Sequence, residues 1–184
     1  MTRGVFLDRD GTLIEEVGYL DRLDRVQLFP YSIDAVRLLN RAGFAVIVTT
    51  NQAGIARGFF DEAFVDSTHR QLSATLAAGR ATVDAFYFCP HHPEGVIETY
   101  RRACDCRKPQ PGLLRRAAAE HALDLQHSFV VGDRAHDIAA GTAVGARGVL
   151  VRTGYGERVA STNHGAAAVA DNLMGAVSWI LRQS

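Results

Sequence analysis

Two carboxylates separated by one residue occur in the stretch Asp8-Arg9-Asp10-Gly11, directly after a short apolar run. On an extended strand their side chains would point to opposite faces, but a turn at Gly11 can bring both into one cleft. Asp and Gly are also common in ordinary turns, so a solvated turn is the alternative interpretation of this stretch.

Two other clusters carry groups suited to binding a phosphate. Residues 49–54 (TTNQAG) offer hydroxyl and amide side chains, together with backbone N–H groups freed by Gly54. Arg107 and Lys108 can grip and neutralise a phosphoryl group. Taken singly, the first cluster could be a strand-to-helix turn and the second a pair of surface charges.

The stretch GDRAHD at residues 132–137 suggests a cation site. Asp133 and Asp137 offer hard oxygen ligands of the type that Mg²⁺ prefers. A helix that begins near Ala135 would carry Asp137 on its first turn, so either carboxylate could instead cap that helix.

All three cysteines of the chain lie in one short segment beside an adjacent histidine pair. Three cysteines cannot all pair, and Cys104 and Cys106 are too close for an easy bridge, so we expect reduced thiols. Together with Cys89 and one histidine they could form a closed tetrahedral Zn²⁺ site. Free cysteines are the alternative, and spacing leaves the choice between His91 and His92 open.

The overall composition is that of an ordinary globular protein. The chain has 184 residues with 20 basic and 20 acidic side chains, which gives a net charge of zero. This length predicts a single domain over residues 1–184. The neutral balance favours neither nucleic acid nor an anionic membrane, and no apolar stretch predicts a leader or a membrane span. We therefore expect a cytoplasmic protein.

Short apolar runs typical of buried strands alternate with patterns typical of helices. The predicted strands are residues 3–7, 44–48, 84–88, 127–131, 147–151 and 166–169. The predicted helices are residues 32–41, 61–78, 112–121, 135–144 and 173–181, and residues 154–165 are predicted to be a loop. This alternation predicts an α/β, Rossmann-like parallel sheet with helices on both faces. The polar clusters follow predicted strands, where such sheets bind their ligands.

The four clusters together resemble the haloacid dehalogenase phosphatases. The shared pattern is Asp-x-Asp-Gly-Thr after the first strand, a threonine after the second, a lysine before a helix and Gly-Asp-x-x-x-Asp after a later strand. More closely, LDRDGTL, TTNQAGIARG, CPHHP, CDCRKP and VGDRAHDI resemble the D-glycero-D-manno-heptose 1,7-bisphosphate phosphatases, whose near relatives are the histidinol phosphatases. The resemblance covers residues 5–151 and implies this fold without a large cap domain.

The resemblance also implies roles for particular residues. Asp8 would be the nucleophile that attacks phosphorus, and Asp10 the general acid and base. Thr50 and Lys108 would hold the phosphoryl oxygens. Mg²⁺ would be bound by Asp8, by the backbone carbonyl of Asp10 and by Asp133.

The same resemblance implies a zinc-binding loop at residues 89–106, with Cys89, His91, Cys104 and Cys106 as ligands and His91 preferred over His92. It implies a substrate-binding set that includes the catalytic Asp8, Asp10, Thr50 and Lys108. The further members of that set are Arg9, Glu16, Val17, Gly18, Tyr19, Asn51, Gln52, Ala53, Arg107 and Arg134.

The implied activity is Mg²⁺-dependent hydrolysis of the 7-phosphate of the heptose bisphosphate through an aspartyl-phosphate, in heptose nucleotide precursor biosynthesis, by a monomer. A histidinol phosphatase is the rival enzyme, although residues 93–103 look longer than in that family. A zinc-stabilised binding module is the rival without turnover. The intact Asp8 and Asp10 pair argues against that module, and the lack of a basic stripe argues against nucleic acid.

Overall fold

The computed structural model describes residues 2–183 and contains a six-stranded parallel sheet with the order β3-β2-β1-β4-β5-β6. The strands are β1 Gly4–Leu7, β2 Ala45–Asn51, β3 Ala85–Cys89, β4 Phe129–Gly132, β5 Arg147–Val151 and β6 Ala168–Ala170. The strand order changes direction at β1, which lies between β2 and β4. The predicted Rossmann-like sheet is therefore confirmed.

Seven α-helices connect or flank these strands in the described residues. They are α1 Ser32–Arg41, α2 Ala53–Ala56, α3 Glu62–Ala78, α4 Gly112–His121, α5 Ala135–Thr142, α6 Gly156–Val159 and α7 Leu173–Leu181. Short 3-10 turns occur at Leu23–Arg25, Glu98–Tyr100 and Leu125–His127. Between β1 and β2 the described chain forms α1 and one 3-10 turn, as expected for a fold without a large cap. Among residues 2–183, no helix is long and apolar enough to cross a membrane.

The helices cover both faces of the sheet because the side chains of each strand alternate. In β1, Val5 and Leu7 pack in one apolar cluster with residues of α1, α3 and α7. Phe6 belongs to a second cluster with residues of α4 and α5. All three side chains are fully buried, which is the burial expected of a central parallel strand.

Several elements differ from the prediction by one or two residues at their ends, and three differences are larger. The strand predicted to end at residue 48 continues to Asn51, because β3 supplies pairing partners for Thr50 and Asn51. Thr50 and Asn51 are thus inside a strand rather than beyond it. The predicted loop at residues 154–165 contains α6, and the single-turn helix α2 was not predicted.

The carboxyl ends of β1 and β4 place two acidic residues side by side. Asp8 follows β1, and its backbone N–H donates to Val131 O in β4 at 2.9 Å. Asp133 follows β4 in the same way. Gly11 has a φ of 81°, and a Cβ there would collide with the Asp133 carboxylate, so glycine is required for the turn and for this close approach.

Ser128 joins the first strand to the fourth and offers a test of this arrangement. Its fully buried hydroxyl accepts a hydrogen bond from Gly4 N–H at 2.8 Å. We expect Ser128→Ala to lower the free energy of unfolding by about 1–3 kcal/mol, because the buried N–H loses its partner. Urea unfolding measures the change.

The matched control for that substitution is Ser178→Ala, which removes an exposed hydroxyl bonded to Met174 O on α7. We expect a change of no more than about 0.5 kcal/mol. An equal loss in both variants would contradict the assigned role of Ser128.

Candidate active site

The ammonium group of Lys108 lies at the centre of the carboxylate cluster. Its Nζ is 2.7 Å from Asp8 Oδ1, 2.5 Å from Asp137 Oδ1 and 2.9 Å from Thr49 O. The Lys108 side chain is 1% exposed, so three acceptors replace the water that it loses. Although burial lowers the pKa of Lys108, the carboxylates of Asp137 and Asp8 raise it above the ordinary value, and the group stays charged.

Asp137 has two structural roles. Its Oδ2 accepts a hydrogen bond from Arg134 N–H at 3.0 Å, which satisfies a free backbone donor at the start of α5. Its other oxygen contacts Lys108. From the sequence, Asp137 could be either a cation ligand or a helix cap. Its pairing with Lys108 was not predicted, because no sequence spacing relates residues so far apart in the chain.

Asp133 is well placed for a divalent cation. Its Oδ2 accepts from Tyr155 N–H at 2.8 Å, while the buried Oδ1 has no hydrogen-bond partner among residues 2–183. Burial raises the pKa of Asp133 to about 7; the Tyr155 N–H lowers it, and the nearby Asp137 raises it. An unpartnered buried carboxylate oxygen is an available ligand for a hard cation.

The charges of the cluster support this fit. The carboxylates of Asp8, Asp133 and Asp137 place oxygens within 4.8 Å of one another, and Lys108 is the cation between them. Burial raises the pKa of Asp8 well above its usual value; Lys108 lowers it, and the other carboxylates raise it. The excess negative charge makes the residues present a suitable site for Mg²⁺.

The carboxylate of Asp10 is surrounded by hydrogen-bond donors. Arg9 Nε donates to Asp10 Oδ2 and Nη2 to Oδ1, both at 3.1 Å. Gln52 Nε2 donates to Asp10 Oδ2 at 3.0 Å, and Thr50 Oγ1 is 3.4 Å from the same oxygen. The two carboxylates that the sequence placed one residue apart thus have different partners, Lys108 for one and Arg9 for the other.

A cleft of about 250 Å³ opens above these groups. Its lining includes most of the predicted substrate-binding residues: Asp8, Arg9, Asp10, Glu16, Gly18, Tyr19, Thr50, Asn51, Gln52, Ala53, Arg107 and Arg134. Two predicted residues do not line it, because Lys108 is buried beneath and Val17 packs against the core. The sequence did not predict five lining residues: Leu20, Gly54, Phe60, His136 and Tyr155. Gly54 and His136 lie in motifs that it did single out, whereas Tyr155 lies in a stretch that was predicted only to be a loop.

Two cationic side chains, Arg107 and Arg134, line the cleft. The guanidinium of Arg134 lies 3.7 Å from the centroid of the Tyr155 ring, and its Nη2 is 3.7 Å from Glu16 Oε2. Arg107 Nη1 donates to His91 O at 3.4 Å. These contacts hold two long side chains where a second anionic group of a ligand could meet them.

The three cysteines and His91 form a compact cluster next to the cleft. Cys106 Sγ is 2.8 Å from Cys89 Sγ and 3.3 Å from Cys104 Sγ, and His91 Nδ1 is 3.3 Å from Cys106 Sγ. The hydrogen bond between the two thiols lowers the pKa of Cys106 and raises that of Cys89. Three sulfur atoms and one imidazole nitrogen suit a closed zinc site. His92 is outside the cluster and accepts a hydrogen bond from Glu94 N–H at 3.1 Å.

This cysteine cluster is linked directly to the carboxylate site. The β2–β3 register pairs Asn51 with Cys89. The Asn51 side chain donates to Lys108 O at 3.1 Å and accepts from Lys108 N–H at 3.0 Å. Since Lys108 follows Cys106 by two residues, both its backbone and its preceding segment are held in place.

The comparisons with known proteins agree with this geometry. A family model described as HAD-hydrolase-like matches residues 105–176. A D-glycero-beta-D-manno-heptose-1,7-bisphosphate 7-phosphatase of Escherichia coli is 45% identical over 152 residues, covering 82% of this chain and 79% of that protein. A D-glycero-D-manno-heptose-1,7-bisphosphate 7-phosphatase of Thermosynechococcus vestitus is 44% identical over 184 residues, covering 96% and 94%.

A solved structure shares the whole fold. The D,D-heptose 1,7-bisphosphate phosphatase from B. bronchiseptica, complexed with magnesium and phosphate, has a TM-score of 0.88 and 32% identity and covers 100% of both chains. The sheet and the carboxylates at its edge define a hydrolase of the haloacid dehalogenase-like class. Within that class, the chain belongs to the D-glycero-D-manno-heptose 1,7-bisphosphate 7-phosphatase family. The predicted fold and family are confirmed.

The adjacent histidines provide a test of the zinc cluster. We expect His91→Ala to lose most of the bound zinc, because His91 supplies the fourth ligand, and His92→Ala to retain it. Atomic emission on purified protein measures the zinc content of each variant. A larger loss in His92→Ala than in His91→Ala would assign the ligand role to His92.

Proposed function

We propose that this chain hydrolyses the 7-phosphate of D-glycero-D-manno-heptose 1,7-bisphosphate through an aspartyl-phosphate on Asp8. The observation that carries the proposal is the position of Asp8 and Asp10 in one cleft, with Asp8 paired to Lys108 at 2.7 Å. A nucleophile and a separate general acid are the two groups that phosphate ester cleavage by this route needs. The product would serve heptose nucleotide precursor biosynthesis.

In the first half-reaction, an Asp8 carboxylate oxygen attacks phosphorus and the ester oxygen leaves with a proton from Asp10. In the second, water attacks phosphorus while Asp10 takes a proton from it, and the bond from phosphorus to the Asp8 oxygen breaks, so that phosphate leaves and the Asp8 carboxylate is restored. Lys108 and Thr50 hold the phosphoryl oxygens, so an ammonium and a hydroxyl face the charge that develops on them. The buried position of Lys108 supports this role, because low exposure strengthens its interaction with an anion.

We assign Mg²⁺ to Asp8, the Asp10 backbone carbonyl and Asp133, which fits the unpartnered oxygen of Asp133. When bound, Mg²⁺ lowers the repulsion between the Asp8 carboxylate and the phosphate and stabilises the charge of the transition state. We assign Zn²⁺ to Cys89, His91, Cys104 and Cys106. Four protein ligands leave no open position, so the zinc would hold a loop and take no part in bond breaking.

The remaining cleft residues would recognise the sugar and its second phosphate. Glu16, Gly18, Tyr19 and the segment 51–53 line the cleft beside Asp8, and Arg107 and Arg134 lie where a distal phosphate could be paired. Val17 would contribute only through its backbone, because its side chain packs against the core.

The residues 1–184 would act as one phosphatase domain with a zinc loop at 89–106, working as a monomer on a small sugar phosphate, without nucleic acid or membrane. Three reduced cysteines in a zinc site fit a reducing compartment, which supports a cytoplasmic location. The neutral net charge supports a small-molecule substrate over a polyanion.

The substrate is tested by comparing phosphate release from the heptose bisphosphate and from histidinol phosphate, as kcat/KM with Mg²⁺ present. We expect the heptose bisphosphate to be preferred, because Arg107 and Arg134 can pair only a substrate with a second phosphate. A higher kcat/KM for histidinol phosphate would identify the chain as a histidinol phosphatase. If phosphate were released from neither substrate, a zinc-stabilised binding module would be favoured.

The nucleophile is tested by Asp8→Asn, which keeps the shape of the side chain but removes its nucleophilic oxygen. We expect turnover to fall by at least about a thousandfold. Asp66→Asn, at an exposed position on α3, is the matched control and should leave turnover unchanged. Substantial activity in purified Asp8→Asn would exclude the aspartyl-phosphate route.

A further inference from the structure

Arg9 lines the cleft but is almost fully buried there, and two of its guanidinium nitrogens are used by Asp10. Arg9 is 2% exposed, and its Nε and Nη2 make the paired hydrogen bonds to the Asp10 carboxylate. Such a fork fixes the plane of a carboxylate as well as its position. The third nitrogen, Nη1, points away from Asp10 and lies 3.4 Å from His69 Nε2.

His69 is held rigidly on the inner side of α3. Its ring stacks on Phe86 at 4.7 Å between centroids and 21° between planes, and meets Phe88 edge-on at 5.9 Å. Burial, followed by the Arg9 charge, lowers the pKa of His69 to about 3, so the imidazole is neutral at physiological pH. Since a guanidinium can only donate, Nε2 must be the acceptor and the ring proton resides on Nδ1.

We propose that His69 is a positioning residue for the phosphatase reaction: it accepts Arg9 Nη1–H, fixes the guanidinium and thereby aims the Asp10 carboxyl at the ester oxygen. This inference rests on the proposed function. In the step concerned, the bond from Asp8 Oδ to phosphorus forms, the bond from phosphorus to the ester oxygen breaks, and the Asp10 proton passes to that oxygen. A carboxyl that can rotate would make this transfer less often.

A purely structural role for His69 would not need its nitrogen. The ring packs between two phenylalanines, and a third phenylalanine would fill much the same space. The nitrogen matters because Arg9 is buried and its third donor would otherwise lack an acceptor. The substitution that separates the two roles is therefore His69→Phe.

The test compares two esters that differ in their need for the Asp10 proton. A sugar phosphate leaves as an alkoxide and requires it, whereas p-nitrophenyl phosphate leaves as a stable phenolate. For His69→Phe we expect kcat/KM for the heptose bisphosphate to fall at least about tenfold, and that for p-nitrophenyl phosphate less than about threefold. The ratio of the two values is independent of the fraction of folded enzyme in a preparation.

Three further variants complete the experiment. His69→Gln restores an acceptor near the position of Nε2, so it should restore part of the ratio that His69→Phe lowers. Arg9→Lys removes the fork, so it should lower the ratio by itself, and adding His69→Phe to it should have little further effect. His121→Phe, which replaces a histidine near Tyr87 outside the cleft, should leave the ratio unchanged.

The inference would be overturned if His69→Phe lowered kcat/KM equally for both esters or lowered it for neither. Additive effects of the Arg9 and His69 substitutions on the ratio would also overturn it. If His69→Phe does not fold, the ratio of kcat/KM values for the two esters can be measured in Arg9→Lys and in His69→Gln, and these variants then test the same inference. These results are distinct from a failure of the proposed function, because in that case the wild-type enzyme itself would release no phosphate from the heptose bisphosphate.

Discussion

The buried ammonium of Lys108 is the interaction on which the site depends. An ammonium with 1% exposure is stable only where acceptors replace water, and here they come from three separate places: Asp8 after β1, Thr49 O in β2 and Asp137 at the start of α5. These groups meet because β1 lies between β2 and β4 in a parallel sheet whose carboxyl ends share one edge. The order of the strands therefore determines whether Lys108 can be charged at all.

The same pairing explains why the two neighbouring aspartates behave differently. Asp8 shares its lysine with Asp137 and lies near Asp133, whose Oδ1 has no hydrogen-bond partner among residues 2–183, so the surroundings of Asp8 carry excess negative charge and favour a cation. Asp10 is paired with the guanidinium of Arg9, which it does not share with another carboxylate among residues 2–183, and it has two further donors in Gln52 and Thr50. The turn at Gly11 thus places two aspartates one residue apart among different partners, one beside other carboxylates and one among hydrogen-bond donors.

Much of this could be predicted from the sequence, and the exceptions have physical reasons. The helix at residues 32–41 and the strand at 147–151 were predicted with their observed bounds, because apolar periodicity and a flanking glycine act locally. The helices α2 and α6 are single turns and too short to produce a period. The extension of β2 to Asn51 depends on pairing with β3, and the roles of Asp137 and His69 depend on contacts across the fold.

The short connection between β1 and β2 bears on whether a domain must close over the cleft in each catalytic cycle. With α1 and one 3-10 turn there, the described chain has no second body between these strands, and hydrogen bonds such as that from Gly18 N–H to Glu16 Oε1 hold the loops that line the cleft. Enzymes that wait for a domain to swing shut spend part of each cycle on that motion. Because the cleft is lined by the loops of one sheet-and-helix body, we expect a ligand to meet walls that are already assembled.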